Sequence, residues 1–280
     1  MRCLCIPFLE DGFMDKLSKA RSELREIDAL AAEDSPIHRI HPLCKLLVTV
    51  LYIVVVVSFP KYDFSGLIVM LLYPVLLFQI TGIPVRLCFH KLRFVLPLVL
   101  AVGIVNPFLD RSPLLFLGGI VISGGVVSMV VLMMKGVFSL MASFLLIATT
   151  SIDALCAALR KIHVPAIITT LLLLTYRYIG VMLEEVSVMT QGYSLRAPGQ
   201  KGIHISAWGS FLGQLLLRSM DRAGELYNSM LLRGFKGNFF YADVPPCRLS
   251  GLVYTLLCTA FFLCARELNL SALLGSLFVR

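Results

Sequence analysis

The chain has 280 residues, of which 58% are hydrophobic and only 15% are charged, and its mean hydropathy is +0.86. A soluble domain has roughly 45–50% apolar and about 25% charged residues, so an ordinary soluble enzyme, a disordered protein and a disulfide scaffold are excluded. The composition predicts an all-α polytopic membrane protein. In such a protein the net charge of +8 indicates orientation in the bilayer, and we expect no binding to nucleic acid.

Residues 1–42 are predicted to form a cytoplasmic N-terminal segment. Within it, residues 15–30 place Leu17, Leu24 and Ile27 at helical spacing, with basic and acidic residues between them. This pattern predicts a short solvated helix that lies near the membrane.

Five apolar runs, taken with their flanking residues, approach the ~20 residues that a membrane-spanning helix needs. They are Leu46–Phe59, Gly66–Val85, Phe94–Leu109, Val126–Thr150 and Leu249–Ala265. Residues 43–150 are therefore predicted to hold transmembrane helices 1–4, and residues 249–280 the last one with the C-terminus. Between the third and fourth runs, residues 113–123 are predicted to be a short segment on the far side of the membrane.

Lys135 is the only charged residue of the fourth predicted span. Its position near mid-membrane makes an exposed ammonium costly, so we expect it to face the helix bundle or a polar cavity. Two roles stay open. Lys135 is either a structural partner of backbone carbonyls or polar side chains, or it contacts a partner subunit.

Residues 166–183 are apolar enough to span the membrane, but they include Arg177. With five spans and the N-terminus inside, 20 of the 25 lysines and arginines lie on the cytoplasmic side, whereas a span here would move seven of them outside. The positive-inside rule opposes such a span, although the rule weakens for segments longer than about 60 residues. We therefore predict that residues 151–248 are a cytoplasmic module of long amphipathic helices, with five or six spans left open.

Two long helices are predicted in this module, and each ends with an arginine just before a break. The first covers residues 166–193, and Arg196 follows it just before the turn at 197–199. The second runs from about residue 206 to Arg233, and Gly234 supplies its left-handed cap. An arginine at a helix end complements the helix dipole, but its rigid donor fork also suits docking into a partner's groove. Because the layout is repeated in one basic module, we favour docking.

Short motifs occur at residues 35–46, 106–111, 176–185, 195–199 and 209–237. Their order and spacing resemble the transmembrane coupling (T) component of energy-coupling factor (ECF) transporters, most closely the CbiQ-like cobalt and nickel branch. In that family an Xaa-Arg-Xaa motif forms the tip of each of two coupling helices. The resemblance therefore implies two coupling tips in this chain, Leu195-Arg196-Ala197 and Leu232-Arg233-Gly234.

The resemblance also implies a complete importer around this subunit, located in a prokaryotic cytoplasmic (inner) membrane. The coupling tips dock on two CbiO-like ABC ATPase subunits, which bind ATP and magnesium. A CbiM-like S component binds the cobalt or nickel ion. Whether a small CbiN-like subunit is also present is left open. The chain itself is then a non-catalytic subunit embedded in the lipid bilayer.

Two positions depart from the family pattern. Ala197 stands where the first tip often has glycine, and His41 precedes Pro42 where the family often has aspartate. The first departure bears on the fit of that tip. Several other charged residues are expected to have partner or structural roles, namely Arg177, Glu184, Glu185, Arg218 and Arg222, together with Lys135.

The sequence has no Gly-x-x-x-x-Gly-Lys-Ser/Thr loop, so we expect no ATP site in this chain. The five histidines are scattered and no cysteine pair has CxxC spacing, so we predict neither a metal site nor another cofactor.

Two other functional classes fit the sequence less well. A self-sufficient secondary transporter or channel usually carries acids within its spans, and the five predicted spans contain none. A membrane enzyme needs a cluster of catalytic groups. Asp153, His163, Glu184 and Glu185 are the candidates near apolar segments, and they form no recognisable constellation.

Overall fold

The computed structural model describes residues 11–33, 35–60, 64–93, 95–109, 113–117, 120–197, 203–237 and 249–267. The chain forms two compact units, one made of residues 1–30 and 152–242 and the other of residues 31–151 and 243–280. Apart from one short β-hairpin, the regular structure of the described residues is helical. The prediction of an all-α membrane protein is confirmed. The turn residues Pro198 and Gly199 lie outside the described residues.

The unit of residues 31–151 and 243–280 contains most of the apolar helices. Its elements are α2 Pro42–Ser58, α3 Phe64–Met70, α4 Leu72–Thr81, α5 Val85–Leu92, α6 Leu96–Leu109, β1 Pro113–Leu117, β2 Ile120–Ser123, α7 Gly124–Thr149 and α11 Leu249–Glu267. Strands β1 and β2 pair antiparallel within the segment predicted to connect two spans. Helix α5 lies between the second and third predicted spans, in a segment for which the sequence predicts no helix.

The other unit contains α1 Asp11–Ala31, α8 Ile152–Lys161, α9 Ala166–Arg196 and α10 Ile205–Leu232. Among the described residues, α7, α9 and α11 contain segments long and apolar enough to cross a membrane, while α2 and residues 66–81 are shorter apolar helices. Because α9 meets these criteria of length and composition, the cytoplasmic placement of residues 166–183 stays a prediction.

The second predicted span is not one continuous helix. It breaks between Met70 and Leu72, and α4 ends at Thr81, where Gly82 takes the left-handed conformation with a φ of 70°. Pro74 explains the break, because proline has no N–H to bond the carbonyl four residues earlier, which belongs to Met70. The Tyr52 hydroxyl donates a hydrogen bond to that carbonyl at 3.0 Å.

The phenol of Tyr52 also belongs to the aromatic centre of this unit. Its ring centroid lies 4.7 Å from that of Tyr73 and 5.3 Å from that of Phe262, and all three side chains are buried. Tyr73 and Phe262 meet edge to face at 5.1 Å. Aromatic pairs in this geometry stabilise a core beyond the area that they bury, so the cluster holds α2, α4 and α11 together.

We expect Tyr52→Phe to lower the free energy of unfolding by about 1–3 kcal/mol, because the Met70 carbonyl loses its donor in a buried position. The matched background is Pro74→Ala, which restores the backbone N–H that can bond the same carbonyl. Thermal unfolding of the four proteins in detergent gives the double-mutant cycle. An equal cost of Tyr52→Phe in both backgrounds would contradict this explanation of the break.

Two lysines join α2 and α7 reciprocally. Lys45 near the start of α2 donates to the Thr149 carbonyl at the end of α7, at 2.7 Å. Lys135 on α7 donates to the carbonyls of Val57 and Phe59 at the end of α2, at 3.1 and 2.5 Å. The two helices are therefore antiparallel, and each lysine bonds otherwise unsatisfied C-terminal carbonyls of the other helix. For Lys135 this contact favours the structural role over a partner contact.

Candidate coupling site

Charged residues along α9 tie it to three neighbouring helices. Arg177 pairs with Asp153 of α8 at 3.0 Å. The Glu184 carboxylate lies 3.4 Å from the guanidinium of Arg21 on α1. The next residue, Glu185, accepts a hydrogen bond from Arg218 of α10. The structure thus gives three of the predicted partner or structural residues on α9 an ion-pair partner within this unit.

The remaining predicted charge, Arg222, lies on α10. Its guanidinium is 3.8 Å from the Glu225 carboxylate, one helical turn further along. Both side chains are largely exposed, so the pair contributes little to stability, about 0.2–0.5 kcal/mol. The spacing of these two residues in the sequence is sufficient to predict this pair.

The first predicted tip stands at the C-terminal end of α9. Arg196 is the last residue of the helix and is exposed, and the preceding Leu195 has 83% of its surface exposed. Among the described residues, no acidic side chain pairs with the Arg196 guanidinium. The tip therefore presents a cation and an adjacent apolar side chain to its surroundings.

Ala197 closes this helix without needing glycine. Its φ is −126°, outside the left-handed region, and its N–H donates to the Tyr193 carbonyl at 3.1 Å. A Cβ is compatible with this conformation. The departure from glycine at this position therefore introduces no backbone strain.

The second tip ends α10 with a Schellman motif. The N–H of Phe235 donates to the Met230 carbonyl at 3.0 Å, and the N–H of Gly234 donates to the Leu231 carbonyl at 2.9 Å. Gly234 has a φ of +83°, the left-handed conformation that its sequence position predicts. The motif turns the chain sharply away directly after Arg233.

The side chains before this turn resemble those at the first tip. Leu232 has 90% of its surface exposed and Arg233 is also exposed. No acidic partner of Arg233 is found in the part of the chain that the structure describes. Both tips thus present a Leu-Arg pair at a helix C-terminus.

We expect Gly234→Ala to destabilise the second tip by about 1 kcal/mol, because a residue with a Cβ is strained at positive φ. Apart from the adjoining backbone, no described atom lies within 4 Å of the position that the new methyl group would take, so the cost is conformational and not steric. Gly234→Asn is the matched control, since asparagine tolerates this conformation better. Amide exchange at the end of α10 should rise in the alanine variant more than in the asparagine variant. Equal exchange in both would contradict the role of φ.

An apolar groove of about 610 Å³ lies between α9 and α10. Its walls are mostly aliphatic and aromatic, with a few hydroxyl groups, and it reaches the second tip at Phe235 and Gly237. The side chains of Ile167 and Leu171 on its α9 wall are 75% and 66% exposed. The module therefore has an open apolar surface beside a cationic helix end.

Three of the scattered histidines lie at helix ends. The Nδ1 atoms of His41 and His204 accept hydrogen bonds from the backbone N–H groups of Leu43 and Ser206, which caps the N-termini of α2 and α10. His163 takes the left-handed conformation after α8, with a φ of 66°. Proline at the first helical position, as in His41-Pro42, is the signal that could have identified the first cap.

Aspartate and a neutral imidazole both offer an acceptor to the first helical N–H groups, so His41 is able to cap α2 at a position where the family often has aspartate. No group of three or more histidine, cysteine or acidic side chains lies together in the described residues. Burial and the negative charge of Asp153 raise the pKa of the Cys156 thiol, which favours its protonated form.

Several known proteins similar to this chain are named as transport components. The family described as cobalt transport protein, CbiQ, matches residues 33–242. The energy-coupling factor transporter transmembrane protein EcfT of Leuconostoc gelidum subsp. gasicomitatum is 26% identical over 226 residues, covering 72% of this chain and 81% of that relative. EcfT of Ruminiclostridium cellulolyticum is 26% identical over 219 residues, covering 73% and 81%. The cobalt transport protein CbiQ of Rhodobacter capsulatus is 30% identical over 117 residues, covering 40% and 47%.

The family match spans well over half of the chain, so the chain belongs to the CbiQ family of cobalt transport proteins. The resemblance to T components of ECF transporters is thereby confirmed.

Proposed function

We propose that this chain is the energy-coupling subunit of an ECF-type ABC importer that takes up cobalt or nickel ions. In this proposal two ABC ATPase subunits bind and hydrolyse ATP with magnesium, and a membrane S component binds the ion. The chain carries out no catalysis and transmits motion between these partners. The observation that carries the proposal is the pair of exposed Leu-Arg tips at the ends of α9 and α10.

The layout of the two tips supports docking on two separate ATPases. Besides the bond from the His204 N–H to the Tyr193 hydroxyl near the first tip, the Glu185–Arg218 ion pair joins the two helices further along. At 1.5 Å per residue, Arg196 lies about 16 Å from this pair along α9, and Arg233 about 22 Å along α10. Each tip is thus connected by a continuous helix to the same Glu185–Arg218 ion pair. A displacement of either tip by an ATPase would move both helices.

The tip side chains suit a protein partner's groove. An arginine offers a planar set of donors that can bond carboxylates or helix-end carbonyls, and the adjacent leucine can fill an apolar pocket. Exposed leucines at 83% and 90% are costly in water and gain free energy when a partner covers them. The tips therefore have the composition of interface anchors.

The groove between α9 and α10 suits the S component. Recognition of a partner helix by a groove requires an elongated apolar surface with a few polar groups, and this groove has both. Tyr178 and Tyr227 supply hydroxyls, while Leu174 and Leu226 supply apolar walls. An apolar helix of a small membrane protein could pack there and follow the movement of α9 and α10.

The orientation of the chain belongs to the same proposal. Placing the N-terminus and residues 151–248 in the cytoplasm of a prokaryotic cell puts both tips on the side where ATP is available. It also agrees with the concentration of lysine and arginine in these segments. Reporter fusions at Lys236 and at Lys19 test this placement, and an exterior signal at either position would overturn it.

Purification of the tagged chain from its native membranes in mild detergent tests the assembly. We expect two ATPase copies per chain and a small membrane protein, and ATP-dependent uptake of cobalt(II) after reconstitution, with nickel(II) as the competing ion. Recovery of the chain alone, active in uptake without ATP, would instead favour a secondary transporter.

A further inference from the structure

Helix α1 lies outside the region that matches the family, which begins at residue 33. It nevertheless forms one compact unit with residues 152–242. Leu17, Leu24 and Ile27 are half-buried at helical spacing, so the apolar stripe of this helix is partly covered. The sequence pattern predicts a solvated helix here. The structure adds side-chain contacts between this helix and α9.

Two polar contacts define how α1 meets α9. Arg21 lies 3.4 Å from Glu184, and the Tyr176 hydroxyl donates to the Asp28 carboxylate at 2.6 Å. The earlier residue on α1 meets the later residue on α9, so the two helices run antiparallel. The contacts are about 10–12 Å apart along either helix, which is two turns. Two points at this separation restrain the direction of α9 as well as its position.

The face of α9 that meets α1 is not the face that forms the groove. Leu174 and Tyr178 line the groove, and Tyr176 lies two residues from each of them. At 3.6 residues per turn, two residues correspond to about 200° around the helix, so Tyr176 points to the opposite side. Helix α1 therefore supports the back of α9 and leaves the groove open.

We propose that α1 is a brace that holds α9 against tilting when a force acts at the Arg196 tip, with Arg21 and Asp28 as positioning residues. This inference rests on the proposed function. A tip that pushes on an unsupported helix displaces it sideways, and part of the motion is lost. With α1 behind it, α9 transmits the displacement to the surface that the S component contacts. ATP hydrolysis then yields more transported ion per cycle.

The brace is tested in the complete complex with the double variant Leu24→Glu/Ile27→Glu, which places charge in the partly covered stripe of α1. We expect about tenfold faster amide exchange in α1 and α9, an unchanged yield of captured ATPase, and severalfold less cobalt(II) transported per ATP hydrolysed. Lys19→Glu is the matched control, because Lys19 is exposed on the opposite side of α1. It should leave all three quantities at their original values.

Reversing the charges of the Arg21–Glu184 pair provides the second test, which does not disturb the apolar stripe. Arg21→Glu places two carboxylates together and should speed exchange in α1 by roughly twofold, as expected for an exposed pair. Adding Glu184→Arg should restore both exchange and transport per ATP. Release of α1 without any change in transport per ATP would overturn the brace alone. If the unmodified chain captures no ATPase, the proposed function itself fails.

Discussion

Arg233→Glu is expected to abolish productive coupling while leaving the protein folded and inserted. The guanidinium is exposed and has no acidic partner among the described residues, so its loss removes no internal ion pair that the structure describes. At a docked interface, losing one desolvated charged hydrogen-bonded group costs about 2–5 kcal/mol, which weakens binding by more than tenfold. The measurements are the amount of ATPase that co-purifies and the rate of ATP-dependent uptake.

Arg196→Glu should act in the same way at the other tip, and the double variant should lose ATPase binding altogether. The matched control is Arg222→Glu, which reverses an exposed arginine on α10 away from the helix end. It should retain nearly full ATPase capture. Equal losses in the control and the tip variants would mean that general charge matters and the tips do not. Full capture and uptake in the double tip variant would reject the coupling-tip hypothesis.

The second large effect is expected at Lys45. This side chain is only 5% exposed, and its ammonium bonds the carbonyls of Thr149 and His38. Lys45→Glu would bring a carboxylate against carbonyl oxygens in a buried site, where an uncompensated charge costs about 3–5 kcal/mol. We expect a large fall in the yield of folded protein and in its thermal unfolding midpoint in detergent.

Lys45→Met removes the hydrogen bonds to the two carbonyls without burying a negative charge, so it measures the first cost separately from the second. Methionine fills similar space without a charge, so the cost should be about 1–3 kcal/mol, for the carbonyls left without a donor. Lys135→Met should cost less than Lys45→Met, because the Lys135 side chain is only half-buried. If Lys45→Glu unfolds at the same temperature as the unmodified protein, the reciprocal contact of α2 and α7 does not stabilise this unit.

Local sequence patterns are sufficient where the structure depends on neighbours along the chain. The fourth span, predicted at 126–150, is α7 at Gly124–Thr149, and α10 ends beside the glycine whose position indicates a cap. Helical periodicity and capping act within a few residues, so they can be recognised without knowing the fold. The pair of tip arginines can be found for the same reason.

Effects that depend on a distant partner are missed or left open by the sequence. It predicts one helix over 66–85, and the break at Leu71 is stabilised by a hydroxyl from Tyr52 on another helix. The apolar stripe of α1 is visible in the sequence, but its antiparallel contact with α9 depends on residues about 150 positions away. Composition likewise leaves open whether α9 spans the membrane, and therefore whether the protein has five or six spans.

The sequence by itself therefore determined that this is an apolar, helical, basic membrane protein with two arginine-ended helices and the motifs of its family. These properties follow from composition and short-range spacing, which the chain carries in any environment. Only the tertiary structure decided which charges pair. Lys135 bonds the end of α2, Glu184 and Glu185 bind α1 and α10, and the tip arginines remain exposed. The reason is that pairing requires proximity in space, and antiparallel packing brings together residues that the sequence keeps far apart.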